Sequence, residues 1–192
     1  MLILIAGLVL FLGVHSVSVV AAGWRDDAMA RLGEAPWKLL YALIAVIGFA
    51  LIVFGYGLVR SDPNQLVLYI PPTWMRHVSL LLMLPVFVLL LATYLPGRIQ
   101  RATKHPMLLA VKLWAVAHLF ANGTLADVLL FGSFLGWAVA DRVSLKHRVV
   151  PKLMGASPSK WNDWIAAVGG LALYAAFVLW LHKALIGVPP IG

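Results

Sequence analysis

The chain has 192 residues, of which 62% are hydrophobic and only 11% charged, and its mean hydropathy is +0.95. Soluble domains are typically about half apolar and about a quarter charged, so this composition excludes an ordinary soluble domain. The absence of cysteine excludes disulfides, thiolate metal sites and iron–sulfur clusters. The net charge of +8 comes mostly from three short loops between apolar segments, which is typical of membrane topology signals and not of nucleic-acid binding.

Six apolar segments predict an all-α fold, a polytopic membrane helix bundle with six transmembrane helices. An apolar helix of about 20 residues crosses a hydrocarbon core about 30 Å thick. The first segment has no basic region before it and is longer than a signal-peptide core, so we expect it to be retained as a helix. We expect a single transmembrane domain over residues 1–192, with spans at about 2–22, 37–58, 74–95, 106–121, 125–140 and 163–186.

The connections predict how neighbouring helices are joined. Residues 23–36 form a polar connection flanked by Trp24 and Trp37, as expected where aromatic side chains lie at the membrane interface. The fourth segment begins at Pro106, a favourable first helical position. Only residues 122–124 separate it from the fifth segment, and so short a turn predicts an antiparallel hairpin.

Basic residues predict the orientation of the bundle. Eleven Lys and Arg follow the first, third and fifth segments, against three on the opposite side, at Arg60, Arg76 and Lys183. Because Lys and Arg concentrate on the cytoplasmic side of membrane proteins, we expect both termini on the non-cytoplasmic side.

Small residues at four-residue spacing predict where helices pack closely. Gly132, Gly136 and Ala140 form such a stripe on the fifth segment, and Ala166 and Gly170 do so on the sixth. Small side chains allow helix backbones in membranes to approach each other, so we expect both stripes to face neighbouring helices.

Histidines are the ionisable residues that mark a candidate site within the apolar segments. Such groups are costly at membrane depth and usually serve a function. His15 lies in the first segment and His118 in the fourth. The carboxylates Asp127 and Asp141 lie at the two ends of the fifth segment, where we expect interfacial roles, with Arg142 as a charge partner of Asp141. No catalytic triad, phosphate-binding loop or metalloprotease motif is present.

Imidazoles in apolar surroundings, without thiolates or paired carboxylates, favour haem iron as the metal partner. On the fourth segment His118 shares a helix face with Trp114 and Asn122. On the first, His15 shares a face with Phe11 and Val19. An apolar slot with an imidazole on each wall would suit a flat porphyrin. The alternative is that each histidine makes a hydrogen bond between helices.

The run HPMLLAVKLWAVAHLFANGTLADVLLFGSFLGWAVADR, from His105 to Arg142, resembles the NnrU family of bacterial membrane proteins. FLGVHSV around His15 and PPTWMRH ending at His77 support the resemblance, which covers nearly the whole chain. The family takes its name from genes linked to nitrite and nitric oxide reduction in denitrifying bacteria. The plant and cyanobacterial 15-cis-zeta-carotene isomerase is similar to NnrU and is a haem b membrane enzyme.

The resemblance implies haem b as a cofactor and points to particular histidines. The matching pairs are His15-Ser16, His105-Pro106 and Ala117-His118. The resemblance therefore implies His15 and His118 as axial ligands of the iron, with His105 as a further cofactor-binding candidate. The isomerase has a cysteine three residues before the second histidine, where this chain has Ala115, so a mechanism that needs thiolate ligation does not carry over.

The distances of the histidines from the cytoplasmic side of the membrane suggest alternative pairs of iron ligands. The helical rise places His15 about 10 Å, and His118 about 20 Å, from the cytoplasmic side. His77 and His182 lie nearer the depth of His118 and are therefore alternative cofactor-binding residues. We expect His147, in the basic loop, to be solvated.

These features predict a haem b-binding protein of the bacterial inner membrane, with oxidoreductase or isomerase activity and a link to denitrification through the resemblance. The expected partners are the lipid bilayer, a membrane redox or reductase partner and a small hydrophobic substrate. The alternative is a non-enzymatic membrane factor that assembles or regulates a respiratory reductase. A transporter is disfavoured, because the sequence shows neither matching halves with broken helices nor many intramembrane acids.

Overall fold

The computed structural model describes residues 1–148 and 155–191. In this part of the chain the regular structure is helical, with one isolated bridge between Val67 and Thr124, which confirms the all-α prediction. The helices are α1 Leu2–Val20, α2 Ala22–Leu32, α3 Glu34–Arg60, α4 Met75–Tyr94, α5 Arg98–Thr103, α6 Pro106–Ala121, α7 Leu125–Ser144, α8 Asn162–Ala176 and α9 His182–Ile186, with a π-helical turn at Phe177–Leu181 between the last two.

Among the described residues, four helical segments are long and apolar enough to cross a membrane: α1, α3, α4 and the continuous segment Asn162–Ile186. Helix α6 is apolar but shorter, at 16 residues. Helix α7 has 20 residues and carries charged side chains in its first and last turns. This arrangement is that of a multi-pass helical membrane protein.

The helix ends differ from the predicted segments by a few residues. Helix α1 ends at Val20, because the backbone leaves the helical region at Ala21 before α2 begins. Helix α3 begins at Glu34, before the apolar run, and α7 continues past residue 140 to Ser144. Polar residues at both places extend the helices beyond their apolar portions. The polar connection predicted at residues 23–36 contains most of helix α2, which begins at Ala22.

The described residues form two compact units. The first comprises Met1–Tyr69 and Gly123–Arg148, and the second comprises Ile70–Asn122 and residues 155–191. In the first unit α1 packs against α3 and α7, and in the second α4 packs against α6 and α8.

Glycines bring the backbones of α1 and α3 close together in the first unit. A Cβ atom added at Gly7 would lie 2.6 Å from the Ile52 nitrogen. One added at Gly48 would lie 2.7 Å from the Phe11 nitrogen, and Gly55 makes the same kind of approach further along α3. Real Cβ atoms do not tolerate such contacts, so glycine is required there for the packing that holds α1 in place.

The predicted stripes of small residues have opposite outcomes. Within the described residues, a Cβ atom added at Gly132 or Gly136 would meet no atom within 4 Å, so the predicted close packing through these two glycines on α7 is wrong. That helix instead buries Leu130, Phe131 and Ala138. On α8 the prediction is confirmed. Ala166 is buried, and a Cβ at Gly170 would lie 2.5 Å from the backbone of Val88 on α4.

Candidate functional site

Two histidines meet in the second unit, one on α6 and one at the start of α9. The rings of His118 and His182 have centroids 6.4 Å apart and planes inclined by 27°. His118 Nδ1 lies 2.9 Å from the Trp114 carbonyl oxygen, and His182 Nδ1 lies 2.5 Å from the Val188 carbonyl oxygen. The structure therefore brings His118 to one of the two alternative partners expected from depth.

These contacts determine the tautomer of both rings. A carbonyl oxygen only accepts hydrogen bonds, so Nδ1 must be the protonated nitrogen in His118 and in His182. In a neutral imidazole the lone pair then lies on Nε2. Histidines that bind metals commonly donate their other ring N–H to a backbone carbonyl in this way, which orients the ring.

The distance between the two ring centroids is close to the distance expected for two imidazoles bound to one metal ion. Each metal–nitrogen bond is about 2 Å long, so imidazoles on opposite sides of one ion have ring centroids about 6 Å apart. The observed separation is 6.4 Å.

A local irregularity positions His182. The π-helical turn Phe177–Leu181 ends immediately before it. Each π turn adds one residue and rotates the next part of the helix relative to a regular one, and such turns occur frequently at functional sites. Phe177 in this turn packs on Phe87 of α4, with ring centroids 4.8 Å apart. No sequence signal predicted the π-helical turn.

His15 lies in an aromatic cluster of the first unit. Its Nδ1 donates to the Phe11 carbonyl oxygen at 2.6 Å, which again leaves the lone pair on Nε2. Its ring centroid lies 4.3 Å from that of Phe11 and 5.3 Å from that of Tyr41, and it meets Trp137 edge to face at 6.0 Å. Because His15 and His118 belong to different units, their predicted pairing on one iron stays a prediction.

Trp137 has an unusual feature beside His15. Its indole Nε1 is buried and has no hydrogen-bond partner among the described residues. Buried polar groups almost always have partners, and an orphan commonly marks a missing ion, water or ligand. A bound group with an acceptor atom beside His15 would satisfy this donor.

The remaining predicted histidines occupy helix ends. His105 is the half-buried residue that precedes α6, and its carbonyl oxygen accepts from the Leu109 N–H at 3.2 Å. His77 is exposed in the first turn of α4, and His147 is exposed after α7. His77 and His105 stay cofactor-binding predictions.

No group of three or more His, Asp or Glu side chains in the described residues is arranged to hold a metal ion. A porphyrin supplies four nitrogen ligands itself, so haem iron needs only one or two protein ligands. The imidazoles of His118 and His182, whose Nδ1 atoms donate to backbone carbonyls, are donors of the type that haem iron takes.

The carboxylates of α7 have larger structural roles than the expected interfacial ones. Asp141 forms an ion pair with Arg148, and both side chains are mostly buried. Among the described residues the ion pair of Asp141 is with Arg148 and not with its neighbour Arg142, so the predicted Asp141–Arg142 couple is wrong. Asp127 is only 4% exposed and accepts from the Tyr56 hydroxyl at 2.5 Å.

Comparison with known proteins places the chain in a family. The profile of the family described as NnrU protein, a family of membrane proteins, matches residues 3–190. No curated protein and no solved structure matches the chain significantly. The match covers nearly the whole sequence, and the chain belongs to the NnrU family.

Proposed function

We propose that this NnrU protein binds haem b in the bacterial inner membrane and that His118 supplies one axial imidazole. The proposal includes six membrane crossings with both termini on the non-cytoplasmic side. The single observation that carries it is the His118–His182 pair, with rings 6.4 Å apart and both Nδ1 atoms engaged by backbone carbonyls.

The residues of this chain would hold the haem and control its surroundings. The Trp114 carbonyl orients His118 and keeps it in the tautomer that presents Nε2. Bound haem would supply one-electron chemistry, which suits electron exchange with a membrane redox or reductase partner. An oxidoreductase role is favoured over isomerisation, because Ala115 replaces the cysteine of the related isomerase.

Two histidines are candidates for a second imidazole that would bind the iron. His182 is supported by its contact with His118 within one unit. His15 is supported by the resemblance to the isomerase, by its Nδ1 hydrogen bond and by the orphan indole N–H of Trp137 beside it. Single substitutions separate the two, because loss of one axial imidazole changes the spin state of the iron and shifts the Soret band.

The test is the absorption spectrum of the full chain purified from haem-supplied cells. We expect a Soret band that His118→Ala weakens at least about tenfold, because removing a primary ligand removes most of the affinity. Whichever of His15→Ala and His182→Ala gives a high-spin shift identifies the second ligand. His147→Ala is the matched control, since His147 is exposed, and should leave the spectrum unchanged.

Two outcomes would overturn the proposal. The first is colourless wild-type protein from cells that load other haem proteins normally. The second is a Soret band that is insensitive to His118→Ala. A colourless protein that co-purifies with a respiratory reductase would instead support the non-enzymatic assembly factor.

A further inference from the structure

A basic cavity lies in the second unit, beside the end of α4 and the start of α8. Its volume is about 750 Å³. The residues that line it include Arg98, Arg101, Lys160, Asp163 and Trp164. Three cations and one carboxylate give the lining an excess of positive charge.

The carboxylate in this cavity is already engaged by the backbone. One oxygen of Asp163 accepts from the Arg98 N–H at 2.9 Å, and the other accepts from the Ile99 N–H at 3.0 Å. Within the described residues, the ion pairs involve neither Arg98 nor Arg101 nor Lys160. Among the described residues, Asp163 is the one carboxylate that lines the cavity, against three cations, and its negative charge offsets only part of theirs. The remaining positive charge attracts an anion.

The neighbouring residues place the cavity at the membrane boundary. Trp161 and Trp164 are 60% and 65% exposed, and Lys160 Nζ lies 5.7 Å from the Trp161 ring centroid. Exposed tryptophans are typical of the headgroup layer. The candidate span Met75–Tyr94 ends beside the cavity, and the candidate span Asn162–Ile186 begins beside it.

We propose that this cavity binds the phosphate headgroup of an anionic phospholipid. One guanidinium group can donate two parallel hydrogen bonds to two oxygens of a phosphate. Basic pockets at the ends of membrane helices bind the headgroups of anionic lipids. Exposed apolar side chains, Ile165 and Val168, continue from Trp164 along α8 and offer a surface to an acyl chain. This apolar continuation favours a lipid over a soluble phosphate.

The test measures lipid binding to the delipidated full chain by native mass spectrometry. Phosphatidylglycerol and phosphatidylcholine with identical acyl chains are titrated in the same detergent. We expect phosphatidylglycerol to bind more tightly. The combined variant Arg98→Gln, Arg101→Gln, Lys160→Gln should lose at least about tenfold of that affinity. Arg98→Lys with Arg101→Lys keeps the charges but removes the paired guanidinium hydrogen bonds, so it should lose less affinity than the glutamine variant, about threefold.

The matched control removes three other cations from the parts of the chain predicted to face the cytoplasm. Arg31→Gln, Arg142→Gln and Lys146→Gln change the net charge equally and should leave the preference for phosphatidylglycerol intact. An equal loss in this control would overturn the proposal, because general surface charge would then explain binding. Equal binding of phosphatidylglycerol and phosphatidylcholine to the wild type would also overturn the proposal. Displacement of the lipid by an equal concentration of inorganic phosphate would overturn it as well.

Discussion

Replacing Gly48 with alanine is expected to lower the free energy of unfolding by about 1–3 kcal/mol, the range for overpacking a close contact. The added Cβ would lie 2.7 Å from the Phe11 nitrogen and 3.0 Å from the Phe11 Cα. Since the neighbour is backbone, no side-chain rotation can relieve the clash, and α1 must move away from α3. The measurement is unfolding of the purified chain by titration with a denaturing detergent, followed by circular dichroism.

The same helix provides the control for this effect. A Cβ added at Gly57 would meet nothing within 4 Å among the described residues. Alanine is favoured over glycine inside a helix by about 0.5–1 kcal/mol, so Gly57→Ala should leave the free energy of unfolding unchanged or raise it. Equal effects of Gly48→Ala and Gly57→Ala would contradict the close packing of α1 on α3.

Asp127→Ala is expected to be at least as destabilising, at about 3 kcal/mol, because it leaves three half-buried donors without their acceptor. The Tyr56 hydroxyl donates to one carboxylate oxygen at 2.5 Å. The Thr124 N–H and hydroxyl donate to the other at 2.9 and 2.7 Å. The Asp127 N–H returns a hydrogen bond to the Thr124 hydroxyl and completes a capping box at the start of α7.

A double-mutant cycle isolates the contact between the tyrosine and the carboxylate. Tyr56→Phe and Asp127→Asn each weaken that hydrogen bond, and the double variant should be more stable than the sum of the two losses predicts, by about 1–3 kcal/mol. Asp62→Ala is a suitable control, because Asp62 is exposed and caps only a turn. Strict additivity in the cycle would show that Tyr56 and Asp127 do not interact.

The helices were predictable because each apolar run is long and bounded by polar residues, prolines or tryptophans. Helix α6 begins at Pro106 and ends at Ala121 as predicted, since proline and a following Asn-Gly pair give strong local signals. Close packing was harder to predict from glycine spacing. Gly7 on α1 and Gly48 on α3 each allow the backbone of the other helix to approach, which cannot be seen from the spacing within one helix. The regularly spaced Gly132 and Gly136 on α7 have no close neighbour among the described residues.

The candidate site was predictable in its residue type but not in its geometry. Histidines in apolar helices stand out, because charge and polarity are costly there. The π-helical turn Phe177–Leu181 immediately precedes His182, and one extra residue in a helix that is apolar on most sides leaves little mark in hydrophobic periodicity. The orphan Nε1 of Trp137 likewise emerges only from the packing around it.

The pyridine haemochrome spectrum of the full chain, purified from haem-supplied cells, tests haem binding most directly. It identifies the haem type and gives its amount relative to protein. We predict haem b in equal amount to the chain, together with an oxidised Soret band that sharpens on reduction. Protein that carries no haem under these conditions, while remaining helical by circular dichroism, would contradict haem binding at His118.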